Sequence, residues 1–478
     1  MKKFLWEKIV NTNKKEKGFF MNTQRPFGLR DKIGYLFGDF GNDFTFLLSS
    51  TFLLKFYTDV MRVDAYLVGL VMMSARFIDA FTDIFMGRIC DRSKNTAVGK
   101  FKPWIRRMCA PVAIASFLIY QSSFASYPTA FKVVYLFVTY VLWGSIFYTS
   151  INIPYGSMAS AISAEESDRQ SLSTFRTMGG TLAGLIVGAG VPLIAYKEVD
   201  GRVILDGPTF TLIAGAFSVF SVVCYILCYY LTTERVKIEK AEKKDSVFRM
   251  LFKAVKNRAL ISIIVASVFM LLSQLTMQSM ANFIYPNYYG SPEAQTVSTI
   301  AMVVGMIFAA LTAKPLSLKF GKAEISAAAS LFASSIALLL YFLRPENVWV
   351  YVGINLVSWY GLGIFAVVNW ALVTDVIDYS EIKNSVREDG SIYALYSFAR
   401  KVGQASAAGI VGSLLTLIGY GEETAFDRGV LSNVYSIATL IPFISFLILS
   451  AILVFWYPLK KKVVNENTQI LKEKRKSA

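Results

Sequence analysis

Residues 74–83 read SARFIDAFTD and lie inside a long apolar segment, which we place at residues 66–88. The segment sets two carboxylates, Asp79 and Asp83, four residues apart and puts Arg76 almost one turn before Asp79. On a helix, residues four apart share a face, so the two carboxylates project together. An ionised carboxylate near the centre of a membrane helix costs about 2.5–3.5 kcal/mol on insertion scales. The pair is therefore predicted to bind Na⁺ or H⁺.

The whole chain is apolar enough for a membrane protein with many spans. Its 478 residues are 54% hydrophobic and 14% aromatic, and the mean hydropathy is +0.47. The net charge of +16 comes from Lys and Arg that cluster between the apolar segments. This is the positive-inside pattern, so we expect no nucleic-acid partner. The chain has no histidine, so carboxylates would carry any transported proton.

Apolar runs of the ~20 residues that cross a bilayer occur about twelve times. We place them at 33–58, 66–88, 105–126, 130–156, 174–196, 208–232, 257–284, 295–314, 322–343, 348–375, 391–418 and 432–457. Basic linkers follow every second span, and the intervening loops are short and nearly free of basic residues. The positive-inside rule therefore predicts that both termini are cytoplasmic.

A charged linker divides the chain into two similar halves. The predicted division is a cytoplasmic N-terminal tail at 1–31, a six-helix half at 32–232, a cytoplasmic linker at 233–256, a six-helix half at 257–457 and a cytoplasmic C-terminal tail at 458–478. The first tail lacks the apolar core of a signal peptide. Basic, glycine-containing turns, GKFK and KFGK, follow the second and eighth spans. We predict an all-α polytopic membrane protein of major facilitator architecture.

Three further charged residues fall inside predicted spans, where each needs a cavity or a partner. Asp43 lies near the middle of span one at ~1.5 Å per residue. Arg176 in span five should pair with a carboxylate, and both a structural and a ligand-binding role fit it. Lys401 in span eleven needs a carboxylate as well, either Asp79 or Asp83.

Span four offers neutral oxygen atoms next to a proline. Pro154 frees a backbone carbonyl one turn earlier. Thr149 could then help to bind a hard cation and Asn152 the hydroxyl groups of a ligand, although a kink used only for packing also fits. Further candidates for substrate binding are Trp370 and Tyr396, which could stack on a sugar ring, and the neighbouring Ser397.

Charges near the end of span ten suggest gating. Asp375 and Asp378 fit either a salt bridge that closes a gate or a solvated helix end, and Arg76 is a third gating candidate. The sequence contains no Ser/His or Cys/His arrangement, no metal cluster and no phosphate-binding loop, so we expect no enzyme activity.

Several motifs together resemble the glycoside–pentoside–hexuronide:cation symporter family. They read KFYTD at 55–59, ARFIDAFTD at 75–83, GKFKPW at 99–104, NIPYG at 152–156 and TDVIDYSE at 374–381. The resemblance covers both halves in order. Asn152 and Gly156 depart from the melibiose carrier, which has Asp and Trp there, and are more similar to the β-xyloside and glucuronide carriers.

The resemblance implies a secondary symporter that imports a glycoside, pentoside or hexuronide by alternating access, driven by co-transported Na⁺, H⁺ or Li⁺. It implies a cation site, and hence metal-ion ligands, at Asp79 and Asp83, completed by Thr149. Asp43 and Arg176 would bind the sugar. Lys401, a further substrate-binding candidate, would connect the two halves near the cation site.

We further expect a monomer in the cell's inner (plasma) membrane with no resident cofactor. The alternative is a cation-coupled carrier of the same fold for another solute, such as a lysolipid.

Overall fold

The computed structural model describes residues 25–236, 257–384 and 389–476. The helices in these ranges are α1 (Leu29–Lys55), α2 (Ala65–Arg92), α3 (Lys102–Ile119), α4 (Thr129–Ile162), α5 (Glu166–Ala195), α6 (Gly207–Leu231), α7 (Arg258–Tyr288), α8 (Pro292–Phe320), α9 (Lys322–Leu343), α10 (Val348–Asn384), α11 (Asp389–Leu417), α12 (Arg428–Trp456) and α13 (Lys461–Lys476). A π-helical turn, Phe56–Val60, extends α1. Most of the predicted linker at 233–256 lies outside the described residues.

Side-chain caps set the starts of several helices. The Asp64 carboxylate accepts a hydrogen bond from the Tyr66 amide at the start of α2. Asn257 caps α7 in the same way, with its side-chain oxygen 3.1 Å from the Ala259 amide nitrogen. Such caps satisfy backbone donors that have no partner within the helix.

In the described part of the chain, eight helices are long and apolar enough to cross a membrane, namely α4 to α10 and α12. The other four helices from α1 to α12 contain 27, 28, 18 and 29 residues. Three of them, α1, α2 and α11, carry four of the intramembrane charges that the sequence singles out, namely Asp43, Asp79, Asp83 and Lys401. Their lower apolarity therefore reflects the charges that they bring into the bundle.

Two elements were not expected from the apolar pattern. An antiparallel hairpin, β1 (Tyr196–Val199) and β2 (Arg202–Leu205), joins α5 to α6. The helix α13 follows α12, and its Leu471 is buried. Both segments are too short or too polar to give a hydrophobic run of membrane length. Helix α10 also continues to Asn384, beyond the predicted span at 348–375, because a helix does not end where its apolar stretch ends.

The two halves meet closely along α2 and α11, where glycines allow the backbones to touch. A Cβ atom at Gly412 would lie 2.5 Å from the Ala65 carbonyl oxygen and 2.9 Å from the Gly69 Cα. Small residues at such contacts let membrane helices pack at short range. The contact therefore holds the halves together at the end of the molecule where α2 begins.

We predict that Gly412→Val weakens this contact. Backbone atoms would have to move, and overpacking of this kind costs about 1–3 kcal/mol. The midpoint of thermal unfolding in detergent should fall. Gly429→Val is the matched control, because a Cβ atom there meets nothing within 4 Å. Equal midpoints for the two variants would contradict the prediction.

The end that contains Lys55, the hairpin and residues 418–427, here called the closed end, joins the halves through polar contacts. Lys55 is buried, and its Nζ donates to Asn287 Oδ1 at 2.7 Å and to Tyr420 Oη at 2.9 Å. It also pairs with Asp59 at 2.5 Å. The ammonium lies 4.7 Å from the ring centre of Phe283. One buried cation of the N-terminal half thus contacts three residues of the C-terminal half.

Candidate functional site

The two carboxylates of α2 share one helix face, as their spacing predicts, and this face contacts α4. Asp79 is 5% exposed and accepts a hydrogen bond from the Ser145 hydroxyl. Its other oxygen accepts from Arg76 Nη1 at 3.3 Å. Ser145 comes from a π-helical stretch of α4, Leu142–Tyr148. The burial of Asp79 is therefore compensated by a hydroxyl group and a guanidinium group.

Asp83 has a similar environment that reaches the other half. Its Oδ1 accepts from Thr149 Oγ1 at 2.9 Å. Its Oδ2 pairs with Lys401 Nζ from α11. The sequence left the partner of Lys401 open between the two carboxylates, and the structure places the ammonium on Asp83. This ion pair connects the two halves through Asp83, one of the two acid-pair carboxylates.

In each carboxylate, one oxygen thus pairs with a basic side chain and the other accepts a hydrogen bond from a hydroxyl group. The hydroxyls of Ser145 and Thr149 donate here, but rotation of either O–H can present a lone pair instead. Thr149 already has a second acceptor, the Gly144 carbonyl at 3.2 Å. Among the described residues, no three His, Cys, Asp or Glu side chains gather as metal ligands. A bound ion would therefore need these neutral oxygens as well as the carboxylates.

Arg76 is held by aromatic rings in addition to Asp79. Its guanidinium lies 4.9 Å from the ring centre of Phe46 and 5.9 Å from that of Tyr140. All of these contacts are within the N-terminal half. In this conformation Arg76, a predicted gating residue, orients Asp79, and its ion pair and ring contacts with described residues all lie within the N-terminal half.

A second polar cluster lies where α1, α4 and α5 meet. Arg176 Nε donates to Asp39 Oδ1 at 2.9 Å, and the guanidinium lies 5.3 Å from the Tyr155 ring centre. A Cβ atom on Gly180 would lie 2.6 Å from Asp43 Oδ2. The absence of a side chain at that glycine makes room for Asp43. Arg176 therefore has the carboxylate partner that the sequence requires.

Asn152 joins this cluster through the first helix. Asn42 Nδ2 donates to Asn152 Oδ1 at 3.4 Å, and Tyr225 Oη donates to Asn42 Oδ1 at 2.6 Å. A Cβ atom at Gly156 would be 3.8 Å from Arg176 Nη1. The structure thus brings Asp43, Asn152 and Arg176 into one region, next to Asp39.

The aromatic candidates of the C-terminal half have different surroundings. Tyr396 is fully buried, and its hydroxyl contacts Ser267 at 2.9 Å and also Asn369. Trp370 is 39% exposed, with the Arg400 guanidinium 5.6 Å from its ring centre. Tyr396 packs against Trp370 edge to face, so only the tryptophan has an accessible ring. The side chain of Ser397 lies outside the described residues.

The acidic gating candidates of α10 lie within one half. Asp375 pairs with Lys322 of α9 at 2.5 Å and is buried. Asp378 is half-buried one turn later. Because α9 and α10 belong to the same half, the Asp375–Lys322 pair does not tie the halves together in this conformation.

Sequence reasoning missed Ser145 and the role of Asp39. The signal for Ser145 was its spacing of four residues from Thr149, which puts both hydroxyls on one face of α4. In the sequence, Asp39 fits a carboxylate near the inner membrane interface as well as it fits a functional residue. Its pairing with Arg176 depends on how α1 packs on α5, which the sequence of either helix does not determine.

The helical bundle and its paired charges define a polytopic membrane transporter. The chain belongs to the MFS/sugar transport protein family, whose model matches residues 34–461. It is 29% identical over 458 residues to an uncharacterized symporter of Bacillus subtilis (strain 168), covering 95% of this chain and 97% of that protein. It is 28% identical to the glucuronide carrier protein homolog of Escherichia coli (strain K12), covering 93% and 95%.

A solved structure supports the same architecture. A crystal structure of a nucleoside transporter superposes with a TM-score of 0.64 at 14% identity, covering 89% of this chain and 99% of the other. The predicted major facilitator fold and the resemblance to the symporter family are confirmed. The family consists of transporters, so the prediction that this is not an enzyme is confirmed too. The chain is a multi-pass membrane protein and a secondary transporter.

Proposed function

We propose that the protein imports a glycoside, pentoside or hexuronide together with Na⁺ or H⁺. The observation that carries this proposal is that two polar clusters meet along α4, which contributes Thr149 to one and Asn152 to the other. One cluster is the acid pair that meets Lys401 from the other half, and the other contains Asp43, Asn152 and Arg176. Sugar transport by the family and the name of the glucuronide carrier homolog support the substrate class. We also propose an inner-membrane location with cytoplasmic termini, supported by the positions of basic residues.

In this mechanism Lys401 and the transported cation compete for Asp83. A cation that binds between Asp79 and Asp83 replaces the ammonium, and Ser145 and Thr149 complete its oxygen shell. The flexible stem of lysine allows Nζ to move away, whereas Arg76 stays with Asp79 because both are on one helix turn. The acid pair thus alternates between an internal and an external positive charge.

The sugar binds in the neighbouring cluster. Its hydroxyl groups would bond to Asp43, Asn152 and Arg176, which offer both acceptors and donors. Because α4 supplies side chains to both sites, binding of the cation and the sugar can stabilise the same arrangement of this helix. Coupling is reciprocal, so a cation that strengthens sugar binding by about 1–3 kcal/mol is itself bound more tightly by the same amount.

The test is counterflow in proteoliposomes with β-xylosides, glucuronides and galactosides at varied Na⁺, Li⁺ and pH. We expect at least one glycoside to exchange, with a half-saturation concentration that falls as Na⁺ or H⁺ rises. A lysolipid that exchanges while no glycoside does would overturn the proposal in favour of the lipid carrier. Cation-driven accumulation that persists in both Asp79→Cys and Asp83→Cys would refute the cation site.

We predict that Arg176→Lys weakens sugar binding. A lysine keeps the charge but loses the planar donor group that holds Asp39 and lies over Tyr155. Loss of one such hydrogen bond corresponds to about a 3- to 10-fold rise in half-saturation concentration in the counterflow assay. Arg169→Lys is the control, because Arg169 is exposed on the same helix. Equal concentrations for both variants would show that Arg176 does not contact the sugar.

A further inference from the structure

A cavity of about 90 Å³ lies between the two halves, beyond the polar cluster of α1 and α5. Leu47 and Gly184 line it, and they follow Asp43 and Gly180 by one helical turn each. One turn advances a helix by ~5.4 Å, so the cavity lies about one helical turn from the proposed sugar site, on the side of the closed end. Its far wall consists of α7, α8, α10 and α12 from the C-terminal half. We call it the interhalf cavity.

The interhalf cavity contains a buried hydrogen-bond acceptor, the side-chain oxygen of Gln295, that has no donor among the described residues. Gln295 lines the cavity and is 2% exposed. Its Nε2 donates to Asn282 Oδ1 at 2.8 Å. Its Oε1 has no hydrogen-bond partner among the described residues. Buried polar atoms are nearly always hydrogen-bonded, so this carbonyl indicates a donor other than the side chains and backbone that the structure describes.

A contact between the halves fixes the orientation of this amide. Asn282 Nδ2 donates to the Thr51 carbonyl oxygen of α1 at 2.6 Å. That bond requires the Asn282 oxygen to face Gln295, which in turn requires the Gln295 nitrogen to face Asn282. The carbonyl of Gln295 is therefore the group left for a ligand.

The rest of the lining suits a ring with polar substituents. Trp359, Met277 and Met302 supply apolar surface, and Asn355 supplies a further amide. Mostly apolar walls with a few placed polar groups are typical of small-molecule sites. A water molecule needs only ~10–15 Å³ of such volume. The cavity therefore has room for a group much larger than one water.

We propose that the interhalf cavity is a subsite for the second ring of a glycoside, either another sugar or an aglycone that carries a hydroxyl. This rests on the proposed function, because the first ring is the one held by Asp43, Asn152 and Arg176. The second ring packs on Trp359 and donates a hydroxyl hydrogen to Gln295 Oε1. Through this subsite, the C-terminal half determines specificity for the group attached to the first sugar ring.

The test compares a methyl glycoside with a disaccharide that has the same first ring. Gln295→Met removes the acceptor, together with the donor to Asn282, at similar volume, and Gly184→Val narrows the cavity. A Cβ atom at Gly184 lies 3.7 Å from Leu47 Cδ1, an ordinary contact, so the variant should fold. Gly353→Val is the control, because a Cβ atom there meets nothing within 4 Å. The readout is the ratio of half-saturation concentrations, disaccharide over methyl glycoside.

We expect this ratio to rise about 3- to 10-fold in Gln295→Met, the effect of one lost hydrogen bond. In Gly184→Val the ratio should rise about tenfold or more, because one additional methyl group that clashes with a ligand in a close-fitting pocket costs about that much in selectivity. The ratio of the control should equal that of the wild type. Equal effects on both substrates, as expected of a cavity that holds only water, overturn the subsite but leave the proposed function intact. A wild-type protein that exchanges neither substrate overturns both.

Discussion

Asp83→Asn is expected to abolish cation-driven accumulation of the sugar while sugar exchange at equal concentrations continues. The asparagine keeps the acceptor for Thr149 but removes the charge that Lys401 and the transported cation share. One charge moving through 100 mV supplies about 2.3 kcal/mol, which supports roughly a 50-fold gradient. The ratio of internal to external sugar concentration, which can reach about 50 in the wild type, should therefore fall to 1 in the variant. Uptake of labelled sugar into energised vesicles, with and without Na⁺, measures it.

Asp64→Asn provides the control for a carboxylate on the same helix. Asp64 is the exposed cap of α2, and asparagine caps a helix about as well as aspartate. Its accumulation ratio should match the wild type. If Asp83→Asn accumulated sugar to the same ratio with the same dependence on Na⁺, the proposed coupling site would be wrong.

Lys55→Met is expected to open the closed end. The change removes the donors to Asn287 and Tyr420 and leaves Asp59, whose side chain is only 14% exposed, without its cation. Breaking a buried ion pair by removing one partner costs about 3–5 kcal/mol, and opening would relieve this cost by exposing Asp59 to water. The balance between the two conformations should shift towards the open one by more than about 100-fold. Distances between spin labels at positions 127 and 423 measure the opening.

The matched control is another lysine near the same end. Lys197 pairs with Asp206, but its side chain is 53% exposed and both residues belong to the N-terminal half. Surface pairs contribute only about 0–1 kcal/mol, so Lys197→Met should leave the label distances unchanged. Identical distance distributions for Lys55→Met and the wild type would show that Lys55 does not hold this end closed.

These two predictions concern two lysines whose charges differ in whether another cation can replace them. At the acid pair, a mobile cation can replace the lysine, so the charge is exchangeable. At the closed end, Lys55 is enclosed by Phe283, Asn287 and Tyr420 of the other half. Its charge can gain water only when the halves separate. Alternating access follows if occupancy of the first site changes how readily the second one opens.

The amino-acid sequence alone determined the class of fold and the existence of the acid pair. Apolar runs of membrane length and the placing of basic residues predict a polytopic bundle because the bilayer penalises charge and unsatisfied backbone. The spacing of Asp79 and Asp83 predicts a shared face because helix geometry is local. These inferences need no knowledge of how the helices pack.

The tertiary structure alone decided the partners across helices. Lys401 could have paired with either carboxylate, and only the packing of α11 on α2 brings it to Asp83. Asp39, Ser145 and Lys55 acquire their roles in the same way, from residues as far away as Tyr420. The orphan carbonyl of Gln295 is likewise visible only once Asn282 and Thr51 are in place. Contacts between distant segments depend on how whole helices cross, and a sequence pattern within one helix carries no information about that.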